Sequence, residues 1–382
     1  MNIRRFLRHV DYLLLAATLG LVGYGATIIY YATRHDPGVA STFFLTRQLA
    51  YVGVGLVALV VVAAVDYEHF RRWQWVFYLA AVGSIAAVFF LGPITRGSRR
   101  WIDLGFIAFQ PSEIAIWLIA LSLGAFLVDR LDSLGSRRLS AVALAYVAVP
   151  ALTVFRQPDL GTATVLMALG LGLLFFFGTR WTHFAVIGAG LVAAMVLVLA
   201  VLPAMNVHLI KSYQMARLTV FLDPGQDSTA AGYNLEQSII AIGSGGLSGR
   251  GDLATQTQLQ FLPEHHTDFI FAVAGERWGF LGVAVVICLY AVFIWRALRI
   301  TAMARDMYGS VVAGGISAAI LYQVLVNVGM TVGIMPVTGI PLPFVSYGGA
   351  ALITNLMLVG LLQSVHVRAS EAIVMRSKVV QT

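Results

Sequence analysis

Two carboxylates and two imidazoles crowd the segment Phe261-Leu262-Pro263-Glu264-His265-His266-Thr267-Asp268-Phe269-Ile270-Phe271, immediately before a long apolar run. Ionisable groups are costly in hydrocarbon, so such a cluster at the mouth of a membrane segment fits a reacting polar head group better than it fits packing. A carboxylate held there in partial desolvation suits a general base, because loss of solvation raises its proton affinity. It equally suits a hard divalent cation, magnesium or manganese, shared with substrate phosphate oxygens. Asp268 is the first candidate for either role, with Glu264, His266 and Thr267 beside it as candidate substrate-binding residues. Asp268 also reads as a plain N-cap for a helix starting at Phe269, and capping does not conflict with catalysis. Zinc is not expected, because adjacent histidines do not share a helix face and neither a His-x-x-x-His spacing nor a cysteine pair supports it.

Two further acids sit at helix starts on the same side of the expected membrane: Glu113 in Gln110-Pro111-Ser112-Glu113, and Asp159 in Gln157-Pro158-Asp159-Leu160-Gly161-Thr162. Proline in a first turn, with an acid facing the positive end of the helix dipole, accounts for both without a substrate. Arg96, Arg99, Arg100 and Arg156 lie on that side too. Guanidinium forks suit a pyrophosphate, although pairing with Asp103, Glu113 or Asp159 is the simpler use of some of them. The glycine-rich stretch 243–251 is not a phosphate loop: Asp252 stands where the lysine must be and no strand precedes it, so no nucleotide is expected, nor haem. A hinge beneath a binding loop accounts for those glycines as well as direct phosphate contact does.

The elements that hold these residues are set by composition. Of 382 residues 59% are hydrophobic and 11% charged, and mean hydropathy is +0.83, which excludes a soluble globular domain. The net charge of +7 sits in short loops between apolar runs, so lipid phosphates rather than nucleic acid are the expected anions. One cysteine, Cys288, permits no internal disulfide. Arg4, Arg5 and Arg8 precede an apolar stretch of about twenty residues with no small-residue cleavage site, the pattern of a retained first span.

Windows of about 20 apolar residues place helices near 12–32, 48–65, 75–91, 111–128, 139–154, 161–177, 182–202, 268–295, 309–332 and 348–366. The expected fold is an all-α integral membrane protein of about ten transmembrane helices, a single polytopic domain over 1–382. One long structured loop, 203–267, lies between helices 7 and 8. With ten spans both termini share one side, and that side holds 15 of the 25 basic residues, so the termini are expected in the cytoplasm and the loop outside it. The localisation expected is the inner (plasma) membrane, multi-pass, with the acidic cluster on the extracytoplasmic face. Residues 336–349 carry three prolines and three glycines and cannot continue a helix, which near membrane depth means backbone that protein buries or that lines a cavity.

Several motifs together resemble the SEDS family (shape, elongation, division and sporulation). They are Gly97-Ser98-Arg99-Arg100-Trp101, Phe109-Gln110-Pro111-Ser112-Glu113, Gln157-Pro158-Asp159-Leu160-Gly161-Thr162, Phe221-Leu222-Asp223-Pro224, His266-Thr267-Asp268-Phe269 and Pro341-Leu342-Pro343-Phe344-Val345-Ser346-Tyr347-Gly348-Gly349. They run in order along nearly the whole chain. The tract Thr255-Gln256-Thr257-Gln258-Leu259, Pro336-Val337-Thr338-Gly339 and Thr354-Asn355-Leu356 are similar to the rod-shape RodA type rather than the division FtsW type. The resemblance implies a peptidoglycan glycosyltransferase of cell elongation that polymerises lipid II beside a class B penicillin-binding protein, the transpeptidase. It implies that Asp268 is the family's essential acid, and it brings Ser346 into the candidate site. Three positions depart from the pattern: Ile116 replaces a lysine one turn past Glu113, Arg277 replaces the second acid of a Gly-Glu-Glu stretch, and Ser248 replaces a bulky apolar residue.

Two other functions stand beside this one. A lipid II flippase needs polar groups at several depths, whereas the spans offer mainly Gln323, Asn327 and Asn355. A scaffold without activity for the penicillin-binding protein has no need of an intact His266-Thr267-Asp268.

Overall fold

The computed structural model describes residues 8–34, 40–93, 99–103, 108–197, 205, 230–259, 261–262 and 265–380. Helices α1 (Tyr12–Thr33), α2 (Phe43–Ala64), the single turn α3 (Glu68–Arg71) and α4 (Gln74–Leu91) precede a two-residue-strand hairpin, β1 (Ile102–Asp103) and β2 (Ala108–Phe109). The hairpin is antiparallel, with Ile102 opposite Phe109. There follow α5 (Pro111–Val128), α6 (Arg137–Arg156), α7 (Leu160–Phe177), α8 (Trp181–Val196), α9 (Ala230–Gly245), the single turn α10 (Thr255–Gln258), α11 (Ile270–Met303), α12 (Met307–Thr331) and α13 (Gly349–Val380). Among the described residues nine helices are long and apolar enough to cross a bilayer, and α8 is a shorter apolar one, so the protein is a nearly all-helical, multi-pass membrane protein of about ten spans.

Helix α5 is apolar on every side and almost wholly enclosed, as a helix must be when protein surrounds it. Helices α4, α7, α12 and α13 pack around it, while the rest of α4 and most of α2 face outward.

At the end of the bundle where α1 begins, short ion pairs join neighbouring turns: Arg71 to Asp129 at 2.6 Å and Arg305 to Glu68 at 2.7 Å. The backbone amide and carbonyl of Asp11, 3% exposed, exchange hydrogen bonds with Gln363, while its carboxylate caps α1 through the Leu14 amide and pairs with Arg296 at 2.5 Å. A buried carboxylate is tolerated when its lone pairs are filled in this way.

The opposite end carries the irregular segments. Helix α11 is broken at Gly279, whose φ of 64° and ψ of −160° only glycine adopts without strain. The freed Phe280 and Leu281 amides donate to the carbonyls of Gly246 and Leu247 at 2.9 and 3.2 Å. The fully buried Glu276 carboxylate accepts from the Gln256 and Thr257 amides and the Thr257 hydroxyl, and its carbonyl accepts from the Arg250 amide. The glycine-rich stretch therefore turns tightly against the broken helix. Arg277 stacks 3.6 Å from the Tyr31 ring centre and donates to Gly251 O and Asp252, which also pairs with Arg34 at 2.5 Å. Hydrogen bonds from Arg277 and Arg34 hold the Asp252 carboxyl below its usual range.

The helix ends depart from expectation at the most interesting place. Helix α11 begins at Ile270, not Asp268, and its cap is Phe269, with no side-chain cap bond. The capping reading of Asp268 is therefore set aside. Phe269, Ile270 and Phe271 are all buried.

Candidate functional site

The turn 265–269 is gripped by one neighbour, the irregular segment 332–348 together with the end of α12. Three consecutive carbonyls are bonded. His266 O accepts from the Tyr347 amide at 3.0 Å, Thr267 O from the Ser346 hydroxyl at 2.7 Å, and Asp268 O from Asn327 Nδ2 at 2.9 Å. With the backbone on both sides of the carboxylate fixed, the Asp268 side chain is carried by a rigid support while the residue stays partly exposed, as do His266 and Thr267. His265 is buried, with Nδ1 3.1 Å from Leu262 O.

Each donor is itself held. Asn327, wholly buried in α12, donates also to Ile340 O at 2.8 Å. Ser346 Oγ accepts from the Leu342 amide at 2.8 Å, and Gln48 of α2 donates to Ser346 O at 3.4 Å. Tyr290 of α11 donates to Pro343 O. Phe344 has a φ of +67°, unusual for an aromatic residue, and stays in place because its ring is buried against Phe293 at 5.3 Å. On the outer side, Phe44 and Tyr347 flank the His266 ring at 4.8 and 5.6 Å. Burial pushes the Tyr347 phenol up to about 12, Tyr51 adding to the shift and Arg47 opposing it, so it remains a neutral hydroxyl.

A second polar cluster lies at the same end. Asp159 caps α7, accepting from the Thr162 amide at 3.2 Å and hydroxyl at 3.0 Å, and accepts from Gln110 Nε2 at 3.1 Å. Glu113, 7% exposed, occupies the first turn of α5, with its carboxyl near that of Asp159. Among the described residues no hydrogen bond or ion pair engages the Glu113 carboxyl. The two clusters share a wall: Gly161 stands where a Cβ would meet Ile340 at 2.9 Å and Thr338 O at 3.2 Å, so glycine lets α7 close on the segment that Asn327 ties to Asp268.

The arginines are placed differently from one another. Arg100 donates to the carbonyls of Gln157 and Pro158, and Arg99 to Phe89 O at 2.6 Å, so both serve helix-end carbonyls and neither replaces the missing partner of Glu113. Arg156, the last residue of α6, is exposed. Glu264 and Arg96 lie outside the described residues. Among the described residues no three His, Cys, Asp or Glu side chains gather as metal ligands. Asn327, Gln48 and Tyr347 were not among the candidates from sequence. A buried asparagine in an apolar run was the one signal available, because it needs partners.

A family profile described as cell cycle protein, FtsW/RodA/SpoVE, matches residues 9–371. The chain is 40% identical over 359 residues to the peptidoglycan glycosyltransferase MrdB of Escherichia coli K12, covering 94% of each. It is 38% identical over 360 residues to the stage V sporulation protein E of Bacillus subtilis, covering 92% of this chain and 94% of that one. Two solved structures are similar. A chain from a peptidoglycan synthase complex that coordinates polymerization and crosslinking superposes with a TM-score of 0.79 at 28% identity, over 94% of this chain and 98% of that one. The rod shape determining protein RodA of Thermus thermophilus does so with a TM-score of 0.67 at 26% identity, over 94% and 96%.

Proposed function

We propose how the chemistry is done in a chain that belongs to the FtsW/RodA/SpoVE (SEDS) family and is a peptidoglycan glycosyltransferase: Asp268 is the general base that activates the acceptor sugar. The substrates are two lipid II molecules. As the acceptor oxygen bonds to the anomeric carbon of the donor, its proton passes to the Asp268 carboxylate. The carbon–pyrophosphate bond breaks on the opposite face, inverting the anomeric centre and releasing polyprenyl pyrophosphate. The observation that carries this assignment is the grip on three consecutive carbonyls, which fixes the backbone under a partly exposed carboxylate. Such fixing favours the near-attack geometry on which effective molarity depends.

Positive charge must meet the departing pyrophosphate. Arg156 has its guanidinium exposed, and Arg99 and Arg100 retain donors beyond those given to backbone, since a guanidinium carries five. Glu264, His266, Thr267, Ser346, Glu113 and Asp159 complete the proposed substrate-binding set. The donor chemistry fits a magnesium or manganese ion only if the substrate supplies most oxygens: Asp268 is the protein ligand, and the ion would neutralise pyrophosphate charge.

The site is assigned to the extracytoplasmic face of the plasma membrane and the termini to the cytoplasm, because the end of the bundle opposite Asp268 gathers the greater share of arginine. The partner is a class B penicillin-binding protein. The test is reconstitution with that partner in liposomes carrying lipid II, comparing wild type with Asp268→Ala. Glycan polymer from wild type alone supports the assignment. Equal polymer from both removes it, and head-group translocation without polymer would replace it with a flippase.

A further inference from the structure

Helix α8 stands away from the bundle. Among its described residues only His183 is buried, and between α8 and α6 runs a cleft of about 510 Å³. Leu144, Val186, Ile187 and Leu191 make its walls apolar and Gly190 widens it. Water has no polar groups to bond along such walls, and two apolar helix faces in a bilayer gain nothing over lipid by leaving a gap, so acyl chain is the natural filling.

The head of the cleft is built differently. His183 Nδ1 and Ser140 Oγ, each on a residue 7% exposed, lie 2.8 Å apart and join the two helices there, with Arg137 at the rim. Arg138 follows Arg137, and the Arg180 guanidinium lies over Gly135, two residues before it. Asp132 is on the neighbouring turn, yet no carboxylate forms an ion pair with Arg137, Arg138 or Arg180 among the described residues. The amino-terminal ends of α6 and α8 both open at this rim and add their positive dipole ends. An apolar slot capped by unpaired arginine complements a ligand with a hydrocarbon tail and an anionic phosphate.

We infer that the α6–α8 cleft binds an anionic glycerophospholipid of the surrounding bilayer, one acyl chain between the helices and the phosphate on Arg137 and Arg180. The site lies at the end of the bundle opposite Asp268, so it is separate from the substrate site and does not depend on the reaction assigned there. A zwitterionic lipid of equal chain length fits the slot but brings a cation to the arginine rim, and is therefore disfavoured.

Native mass spectrometry of the full-length protein, released from micelles with phosphatidylglycerol or phosphatidylcholine of identical chains, tests this. Wild type should retain phosphatidylglycerol preferentially, by about fivefold for each arginine that contacts the phosphate. Arg137→Gln with Arg180→Gln should reduce retention to that of phosphatidylcholine, Gly190→Phe should lower retention of both lipids, and Arg299→Gln, an exposed arginine at the same end, should change nothing. Equal retention of the two lipids by wild type overturns the proposal. So does a preference that survives the double substitution, or one that Arg299→Gln lowers as much.

Discussion

Replacing Asn327 by leucine keeps the branching of the side chain and the helix while deleting the two donors that tie Asp268 O and Ile340 O together at 2.9 and 2.8 Å. A buried carbonyl left without its donor costs about 1–3 kcal/mol. Because the support under Asp268 loses one of its three clamps, part of that cost falls on the geometry of the carboxylate. If one bond's worth reaches the reacting state, polymerisation slows by roughly 5–150-fold. A carboxylate misplaced by about 1 Å leads to a loss of the same order. The assay is glycan polymer formed per minute from lipid II in vesicles, with the melting temperature of the purified protein as a check on folding. A second substitution sharpens it: in an Asp268→Ala background, Asn327→Leu should cause no further loss, since residues acting as a unit are not additive. A folded Asn327→Leu protein that polymerises within about twofold of wild type would refute the positioning argument, two-fold being less than about 0.5 kcal/mol.

Asp268→Asn keeps size and backbone contacts but cannot take a proton, so polymer should vanish while the melting temperature holds. Ile116, 2% exposed, sits one turn past Glu113. Ile116→Lys should be tolerated in wild type but cost about 3–5 kcal/mol with Glu113→Gln, as measured by denaturation in detergent, because a buried ammonium then lacks its counter-charge. Arg277 and Arg34 lower the Asp252 pKa, so the anchoring it provides is complete above the ordinary value of about 3.9 and is lost as pH falls through the lower folded value. Hydrogen-exchange protection over 246–258, taken relative to the intrinsic rate at each pH, should fall only in that acid range, and Asp252→Asn should remove the dependence. Phe344→Gly would relieve about 1–2 kcal/mol of left-handed strain but lose about 3–5 kcal/mol of buried ring, so thermal unfolding should show a net loss.

The spans were legible because hydrocarbon imposes one rule on every residue within it, and Arg137–Arg156 and Leu160–Phe177 fall within a few residues of the expected windows despite the thin separator between them. The break in α11 was not, since glycine at 279 leaves the apolar run uninterrupted and only the carbonyls of Gly246 and Leu247, distant in sequence, show that the helix is open there. Asn327 was visible as a polar residue in a span, but its partners lie 59 and 13 residues away and leave no local trace. The charge of Arg100 is legible in the sequence, but its service to the backbone is not. The carbonyls at the end of α6 that claim its guanidinium belong to the backbone, which a sequence does not display.

The discontinuity at Gly279 gives the residues ahead of it a mechanical property. At about 1.5 Å per residue, Ile270–Trp278 forms a stiff lever about 13 Å long, with its fulcrum at the glycine and the clamped Asp268 turn at its far end. A tilt of about 5° at the fulcrum moves that end by about 1 Å, the scale on which attack geometry is won or lost. The stretch 246–257 is bonded to the helix on either side of Gly279, to the lever at Glu276 and beyond the fulcrum at Phe280. Pressure applied to that surface stretch is therefore felt at the carboxylate through a rigid arm, with no need to disturb the membrane-embedded remainder of the helix.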